Sequence, residues 1–585
     1  MLLILFIVAV TCGVTLHWLY HHIYLPYLDC QIDLKQVKRI PSIPPNSENP
    51  NALLDTAVIV GGSFAGLSTA MVLSSYFRKV IIIDRGHMVE NESITDSRQG
   101  QQAHVIAYRS LLIWDQLLPG FLKELEDLIK KNKLNQWVFP SKELKYDFKG
   151  MNISDTSAMR KNPLVFATRG QVETVLRRRV RSELGNVKIY EGYSVHSQGI
   201  HYERKDADHS LKITAVTATK IDDQASSLTF PCDLFVNCAG AGSHHLLKHI
   251  EKELQVKGSL KTSVLTPSSI DCKIRYQTIL FEPKEGTLDK DGKIALNTVC
   301  EKVVNQNRKI GDFYTIVYHM LSYPRRRGFL AMPYSNDQYL VLIATFNQKI
   351  DPIDEENAKE RVFEFAQQGS IENPLLEKDV RQVMSKFKDR AVKVIPIFEK
   401  SGSEFVHYEK LRNQLEGFLA LGDSVASLNP IYGQGVTMAA ESVLLLNDLI
   451  QKQLKISQKG NLFNARFCSS VQEALSKSYF IPWLLCSTTD LSYDFAKFTK
   501  DLQLQRLISP IMCWLLDRLF LAASQYSWAS EYFLRVVLME QGFRKELLNP
   551  VWLFGYLFWK ESLAMVCGVV ATLYFMKFGS FSSYP

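Results

Sequence analysis

The chain of 585 residues holds ten cysteines, but no Cys-x-x-Cys pair and no Cys/His run at metal-ligand spacing. That absence argues against a Cys-x-x-Cys redox or zinc motif, leaves no visible metal site, and fits a cytosolic, reducing compartment. Cys232 and Cys238, in the strand-like run CDLFVNC, read as core residues. No stretch interleaves basic and aromatic residues, so no nucleic-acid partner is expected despite a formal net charge of +8. The basic clusters are short: Arg177, Arg178, Arg179 and Arg181 on an expected helix, and Arg325 to Arg327 after Pro324. Each reads first as a solvated face, and second as a contact to anionic lipid or a cofactor phosphate. A hydrophobic share of 46% against 22% charged is that of a folded protein, and the length asks for two or three domains.

The first apolar run, residues 1–20, has no basic residue before it and no small-x-small cleavage site after it. An uncleaved anchor over 1–25 is therefore expected rather than a signal peptide. Lys35, Lys38 and Arg39 follow it, which places the main body on the cytosolic side of a membrane, with the endoplasmic reticulum as the expected one. Pro41–Pro50 makes 26–55 a proline-rich linker. Near the other end Val551–Trp559 and Leu563–Met576 are apolar, with Lys560 and Glu561 between them. The segment 550–578 reads as membrane-associated (one tilted span, a re-entrant hairpin or an interfacial patch), with a buried core helix as the alternative.

Two glycine-bearing blocks stand at opposite ends of the remaining chain. Thr56–Asp84 reads as a buried strand Ala57–Val60, an amphipathic helix Leu67–Tyr76 and a second strand Val80–Ile83, closed by Asp84 and Arg85. The turn Gly61, Gly62, Ser63, Phe64, Ala65, Gly66 is where a dinucleotide pyrophosphate sits in such a βαβ unit, and Asp84 stands where an acid holds ribose hydroxyls. Ser63 replaces the central glycine of the pattern, and its hydroxyl can bond phosphate. In Gly417–Ala439 a strand over Phe418 to Leu421 runs into Gly422 and Asp423, then Pro430 and a Gly433-Gln434-Gly435 helix start. An acid there holds sugar-like hydroxyls, and the helix start offers free N–H groups and partial positive charge. Two such blocks imply one large cofactor gripped at both ends, with FAD as first candidate. Gly240-Ala241-Gly242, after Leu234–Asn237, lacks a complete glycine pattern and is not expected to open a separate NAD(P)H domain.

With both blocks in view, the chain resembles the flavin-dependent aromatic hydroxylase and epoxidase superfamily. This is the p-hydroxybenzoate-hydroxylase fold, which includes squalene monooxygenase, and the resemblance is strongest to a subgroup related to polyprenyl-phenol hydroxylases. It covers about Thr56 to Asn549. SRQGQQAHVIAYRSLLIWDQLLPG (97–120) resembles the segment whose arginine, here Arg98, lies near the flavin. TRGQVETVLRRRV (168–180) resembles the helix start whose arginine and glutamine approach FAD, here Arg169 and Gln171. CDLFVNCAGAGS (232–243), with Gly240, takes the place of the Asp-Gly motif, its acid replaced by Ala239. YPRRRGFLAMPYSNDQYLVLIATF (323–346) resembles the substrate-side hairpin, GDSVASLNPIYGQG (422–435) the flavin-binding GD motif, and FIPWLLCSTTD (480–490) the helical C-terminal part. The histidine that often follows the GD motif is absent, as are the Trp-rich motif and lysine setting of flavin halogenases.

The resemblance implies an α/β chain. Its Rossmann-like FAD-binding domain is discontinuous (56–260 and 406–452), with an antiparallel-sheet substrate domain (261–405) inserted and a helical region (453–549) after it. It implies noncovalent FAD on Gly61, Gly62, Ser63, Ala65, Gly66, Asp84, Arg85, Arg98, Arg169, Gln171, Gly240, Asp423, Pro430, Gly433, Gln434 and Gly435. NADPH or NADH, or a reductase partner, would supply electrons, and molecular oxygen would form a flavin hydroperoxide. That species would hydroxylate or epoxidise a hydrophobic substrate of isoprenoid, sterol-like, phenolic or lipid type. The alternatives are a prenyl-type FAD-dependent reductase and a non-catalytic flavin-binding membrane protein. Tyr276, Phe329, Met332 and Tyr432 either line an apolar pocket or are plain core. His104 is an acid–base candidate by type alone, with a structural role as its first reading, and no catalytic residue is assigned.

Overall fold

The computed structural model describes residues 34, 39–44, 47–86, 100–102, 104, 106–131, 137–138, 144–148, 151–152, 164–165, 169–205, 210–256, 263–288, 294, 296, 316–335, 338–456 and 462–525. The expected anchor 1–25, Arg98 and the segment 550–578 lie outside them.

Along the chain, β1 (Leu54–Val60), β2 (Phe77–Asp84), β3 (Val187–Glu191) and β4 (Leu234–Asn237) come first. They are followed by β5 (Ser268–Pro283), β6 (Ile316–His319), β7 (Arg327–Ser335), β8 (Gln338–Phe346) and β9 (Phe398–Phe405). The short strand β10 (Phe418–Ala420) then returns to the first group. The five strands β10-β4-β1-β2-β3 form one sheet in that order, and every neighbouring pair is parallel. A parallel sheet covered on both faces needs near-continuous apolar runs, and AVIV and VIII supply them. Because all five strands point the same way, the turns after β1, β2, β4 and β10 emerge along one edge. The Gly240 turn thus belongs to the same sheet as the Gly61 turn and opens no second one.

Helix α1 (Phe64–Ser74) follows β1, and only Ala65 among its residues is not buried. The expected amphipathic helix over Leu67–Tyr76 is corrected in both extent and character. Helices α2 (Tyr108–Leu117), α3 (Arg169–Glu183) and α6 (Gly435–Ile456) pack around it while the sheet covers the remaining side. A helix enclosed on every side has no polar stripe.

Strands β5 to β9 build an antiparallel sheet. β5 lies between β8 and β9, with Ile274 opposite Phe346 and Tyr276 opposite Phe398, and β7 pairs with β8 as a hairpin. The strand Leu144–Phe148 also joins this sheet, parallel to β6, although it lies within 56–260. Period-two alternation divides the faces. Phe329, Ala331, Val341, Ile343, Ile279 and Phe281 pack beneath α4 (Ala358–Gly369) and α5 (Pro374–Met384). Leu330, Met332, Leu340 and Leu280 face the other way and cluster with Tyr146, Phe148 and Phe520. Phe329 therefore cannot share a pocket with Met332, and the expectation that it does is corrected. The helices α7 (Ala465–Leu491) and α8 (Gln503–Gln525) end the described chain.

Candidate functional site

The two glycine blocks meet at the carboxyl edge of the parallel sheet. Gly61 takes φ of +104°, and a Cβ on it would lie 2.3 Å from the Cys238 carbonyl oxygen, so the turns after β1 and β4 are in backbone contact. A Cβ on Gly66 would stand 1.7 Å from the Gly61 carbonyl oxygen, which lets α1 start directly on that turn. A Cβ on Gly422 would come within 2.8 Å of the Ala65 Cβ. The acidic turn of the second block thus rests on the first turn of α1. Backbone bonds fix the edge, from Gly61 N to Ile83 O at 2.8 Å and from Leu421 N to Asn237 O at 3.0 Å.

The side chains around the first turn form one charged network. The Asp84 carboxylate accepts from Gly62 N at 2.5 Å and from Gly86 N at 2.7 Å. Burial pushes this carboxyl up, while those two N–H groups oppose the shift. Ser63 donates its hydroxyl to Glu173 and accepts from Arg169 Nη2 at 2.7 Å, and Arg169 Nε donates to Glu173 Oε1 at 2.9 Å. Burial acts to raise the Glu173 carboxyl, but the Arg169 charge and the bonds from Ser63 and Arg169 hold it below the usual range. Glu173 is a site residue that the sequence reading missed. Its spacing four residues beyond Arg169 on one helix was the available signal. Arg177, one turn further, is buried and faces the charges of Glu173 and Asp84. Arg179 binds Glu124 and Glu183, and Arg325 lies buried with Nη1 donating to Asp147 at 2.6 Å. The reading of these arginines as solvated faces is corrected for Arg177, Arg179 and Arg325: Arg177 and Arg325 are buried, and Arg179 and Arg325 are paired with carboxylates. Gln171 is buried in the first turn of α3, whereas Arg85 is exposed just past β2.

The second block supplies an acid and a helix start. Gly435 opens α6 with its Cα turned to Asp423: an added Cβ would lie 3.3 Å from Asp423 Oδ1. The charge of Asp423 is felt by both Arg169 and the half-buried Lys400. Asn429 accepts from Ile431 N, Pro430 begins a single turn, and Gly433 takes φ of +68° to leave it. Gln434 is buried, with its amide oxygen 3.7 Å from Cys486 Sγ. Beneath this loop lies Asp490, near the C-terminal end of α7. It accepts from the Tyr432 hydroxyl at 2.9 Å, from Asn429 Nδ2 at 3.3 Å and from Ser403 Oγ at 3.3 Å. Burial pushes its carboxyl up to about 6, against the pull of those bonds. The sequence reading quoted Asp490 within FIPWLLCSTTD without giving it a role; an acid closing an apolar helix was its signal.

Tyr276 packs on Phe398 and lies within reach of the Arg169 charge, and Tyr432 touches the apolar cluster of Met332 and Leu340. Three of the four proposed pocket residues therefore border the site. His104 places Nδ1 2.8 Å from the Gln102 carbonyl oxygen. Burial, then the Arg169 charge, lowers its pKa to about 4, so it is a neutral hydrogen-bonding group at pH 7.

An extended dinucleotide suits this edge on three observations. Gly240 and Gly242 have φ of +85° and +75° with nothing within 4 Å of an added Cβ, which leaves backbone open to a ligand. Thr437, in the first turn of α6, buries a hydroxyl that has no hydrogen-bond partner among the described residues. Acids stand at both ends, Asp84 at β2 and Asp423 after β10.

No protein-family model matches the chain. It is 22% identical over 450 residues to Protein Rv3254 of Mycobacterium tuberculosis (strain ATCC 25618 / H37Rv), covering 76% of this chain and 81% of the relative. Among solved structures it is similar to the Diels-Alderase PyrE3 of pyrroindomycin biosynthesis, with TM-score 0.45 and 14% identity over 83% of this chain and 80% of that one. It is also similar to CmlS, a flavin-dependent halogenase, with TM-score 0.45 and 14% identity over 83% of this chain and 77% of that one.

Proposed function

We propose that the protein is an FAD-dependent monooxygenase acting on a hydrophobic substrate. The observation that carries this reading is the meeting of Gly61–Gly66 and Gly422–Gly435 at one carboxyl edge of the parallel sheet, with the apolar face of the antiparallel sheet beside it. Ligands of open α/β sheets bind at that edge. Asp84 and the turn from Gly61 to Gly66 would hold the adenosine end and the pyrophosphate, with the N-terminus of α1 facing the phosphates. Arg169, fixed by Ser63 and Glu173, would stand over the middle. Asp423 would hold the ribityl chain, and the first N–H groups of α6 would face the pyrimidine edge, where negative charge gathers on reduction. When bound, FAD supplies the redox chemistry, with NADPH or NADH as donor and molecular oxygen as oxidant.

The protein's own task is then binding, orientation and dryness. Leu330, Met332 and Leu340 form a buried apolar cluster beside the second block, with Tyr432 packed on it, and such surroundings would keep water from the site and favour a lipophilic substrate. Detergent-purified protein supplied with FAD should be yellow. It should consume NADPH or NADH in the presence of a suitable lipid, and the product should be one oxygen heavier by mass spectrometry. A product two hydrogens heavier would make it a reductase, and protein that holds no flavin would refute the cofactor assignment.

A further inference from the structure

Helix α8 divides cleanly into two faces. Leu502, which precedes it, and Ser509, Cys513, Phe520 and Ala523 are buried. The opposite side carries Leu504, Leu507, Ile508, Ile511, Trp514 and Leu521, with exposure from 36% at Leu521 to 71% at Leu504. Their spacing of three and four residues, with one full skip between Trp514 and Leu521, sets them on one stripe of a 3.6-residue helix. None of the six is ionisable. The basic residue on that side, Arg518, places its guanidinium over the Trp514 ring at 6.0 Å, so its aliphatic stem runs along the stripe. Lys500–Ser524 is long and apolar enough to cross a membrane, yet only 22% of its apolar window is buried, unlike a core helix.

We infer that α8 docks in the plane of a lipid bilayer, its outer stripe in the acyl region and its inner face on the protein. A bilayer fits this stripe because the six side chains are aliphatic or indole, because the one acid at this spacing, Asp517, is half-buried next to Arg518 at the far end of the stripe, and because an indole beside a cation suits the headgroup boundary. The course of the chain agrees. The sequence after α8 carries the apolar runs Val551–Trp559 and Leu563–Met576. The inner face gives the docking a consequence. Phe520 stacks on Phe148, and Phe520 and Ala523 share a cluster with Met332 and Leu340, against which Tyr432 packs. The bilayer would lie one helix away from the apolar cluster beside the candidate site. Substrate entry directly from lipid, the part that rests on the monooxygenase reading, follows from that position.

The test is photolabelling of the full chain in phosphatidylcholine nanodiscs whose acyl chains carry a diazirine, followed by peptide mapping. Adducts should fall on Leu504, Leu507, Ile508, Ile511, Trp514 and Leu521, and should miss Ser509 and Cys513. A 503–525 peptide free of adducts, with label present elsewhere in the same chain, would overturn the inference. So would cross-links joining the stripe to residues 551–576 or to a second copy, since either occupant would cover it. In the full-length double variant Leu507→Glu/Ile511→Glu, labelling of α8 should drop at least tenfold while flavin content stays unchanged. Undiminished labelling of α8 would refute the docking. Because labelling is read without flavin, a protein that labels on α8 yet holds no FAD refutes the cofactor assignment and leaves the docking standing.

Discussion

Gly66→Ala tests whether the glycine-rich turn is built as described. The new Cβ would stand 1.7 Å from the Gly61 carbonyl oxygen, so turn and helix must part by more than an ångström. Neither side yields easily. Gly61 donates its own N–H to Ile83 O at 2.8 Å and touches the Cys238 backbone, and α1 is enclosed between the sheet and three helices. Overpacking against movable neighbours costs ~1–3 kcal/mol, and a clash between two backbones belongs at the upper end or beyond. Alanine returns at most ~1 kcal/mol through its better helix propensity. The clash wins, with a net loss of roughly 2 kcal/mol or more, which lowers the unfolding temperature of the parallel-sheet unit by roughly 4–8 °C. Gly240→Ala is the comparison, because nothing lies within 4 Å of its Cβ and only the left-handed φ of +85° opposes it, at ~1–2 kcal/mol. Thermal unfolding followed by circular dichroism measures both, and flavin retention is read on the same samples. A Gly66→Ala protein that unfolds at or above the wild-type temperature would refute this packing. One that is destabilised, with no flavin bound in either protein, would keep the packing and remove the FAD assignment.

Other consequences concern the acids and one histidine. Asp423→Ala should weaken FAD retention on gel filtration at least tenfold, whereas Asp222→Ala, at an exposed position, should not; equal retention contradicts the ribityl role. His319 is buried, with Nε2 2.8 Å from Asp379 Oδ2 and Nδ1 3.2 Å from Asp147 Oδ1. Burial disfavours its charge, but the bonds and charges of the two aspartates prevail and raise its pKa above 6.5. Its stabilising contribution is complete below pH 6.5 and is lost as pH climbs through the raised value. Wild type should therefore lose more stability than His319→Gln between pH 6 and 9, and parallel pH profiles would count against the network. Asp490 shifts stability in the same direction for a different reason, burial rather than partners. With its carboxyl up at about 6 against 3.8 unfolded, the native state binds the proton more tightly, so stability falls as pH rises across that window. The fall is at most ~3 kcal/mol by linkage. Urea unfolding at pH 4.5 and 7 should show it in wild type and not in Asp490→Asn.

The parallel sheet was legible because its strands are short, β-branched and buried on both faces: AVIV, VIII and LFVN have no competing pattern. Its turns were legible because glycine at Gly61, Gly66 and Gly422 answers a backbone need that no other residue meets. The hairpin 323–346 was visible, but whether its side chains line a pocket or are plain core stayed open, and for Phe329 the second holds. A two-residue alternation fixes only relative facing, and Phe329 and Met332, three apart, fall on opposite sides. Burial of Arg177 and Arg325 was not legible, since a basic run looks the same whether water or a carboxylate from a distant segment receives it. Arg325 meets Asp147, far away in the chain, and only the pairing of Leu144–Phe148 with β6 brings them together. The Asp490 cluster was hidden for the same reason, because its partners come from two separate stretches, Ser403 from β9 and Asn429 and Tyr432 from one loop.

Ser63 shows how a departure from a motif is absorbed. A glycine at the centre of G-x-G-x-x-G lets backbone approach a pyrophosphate, and a side chain there would crowd it unless held aside. Here the serine hydroxyl is drawn towards α3, where it donates to Glu173 and accepts from Arg169. The same bonds fix the guanidinium of Arg169, a long side chain that would otherwise lose considerable freedom on meeting an anion. Charge also balances: Arg169 and Arg177 face Glu173 and Asp84. The cluster is near neutral, so on the proposed FAD reading attraction for a diphosphate would come chiefly from the N-terminus of α1. Ser63→Gly would then free Arg169 more than it would open the turn, making the serine part of how this chain holds its arginine in place.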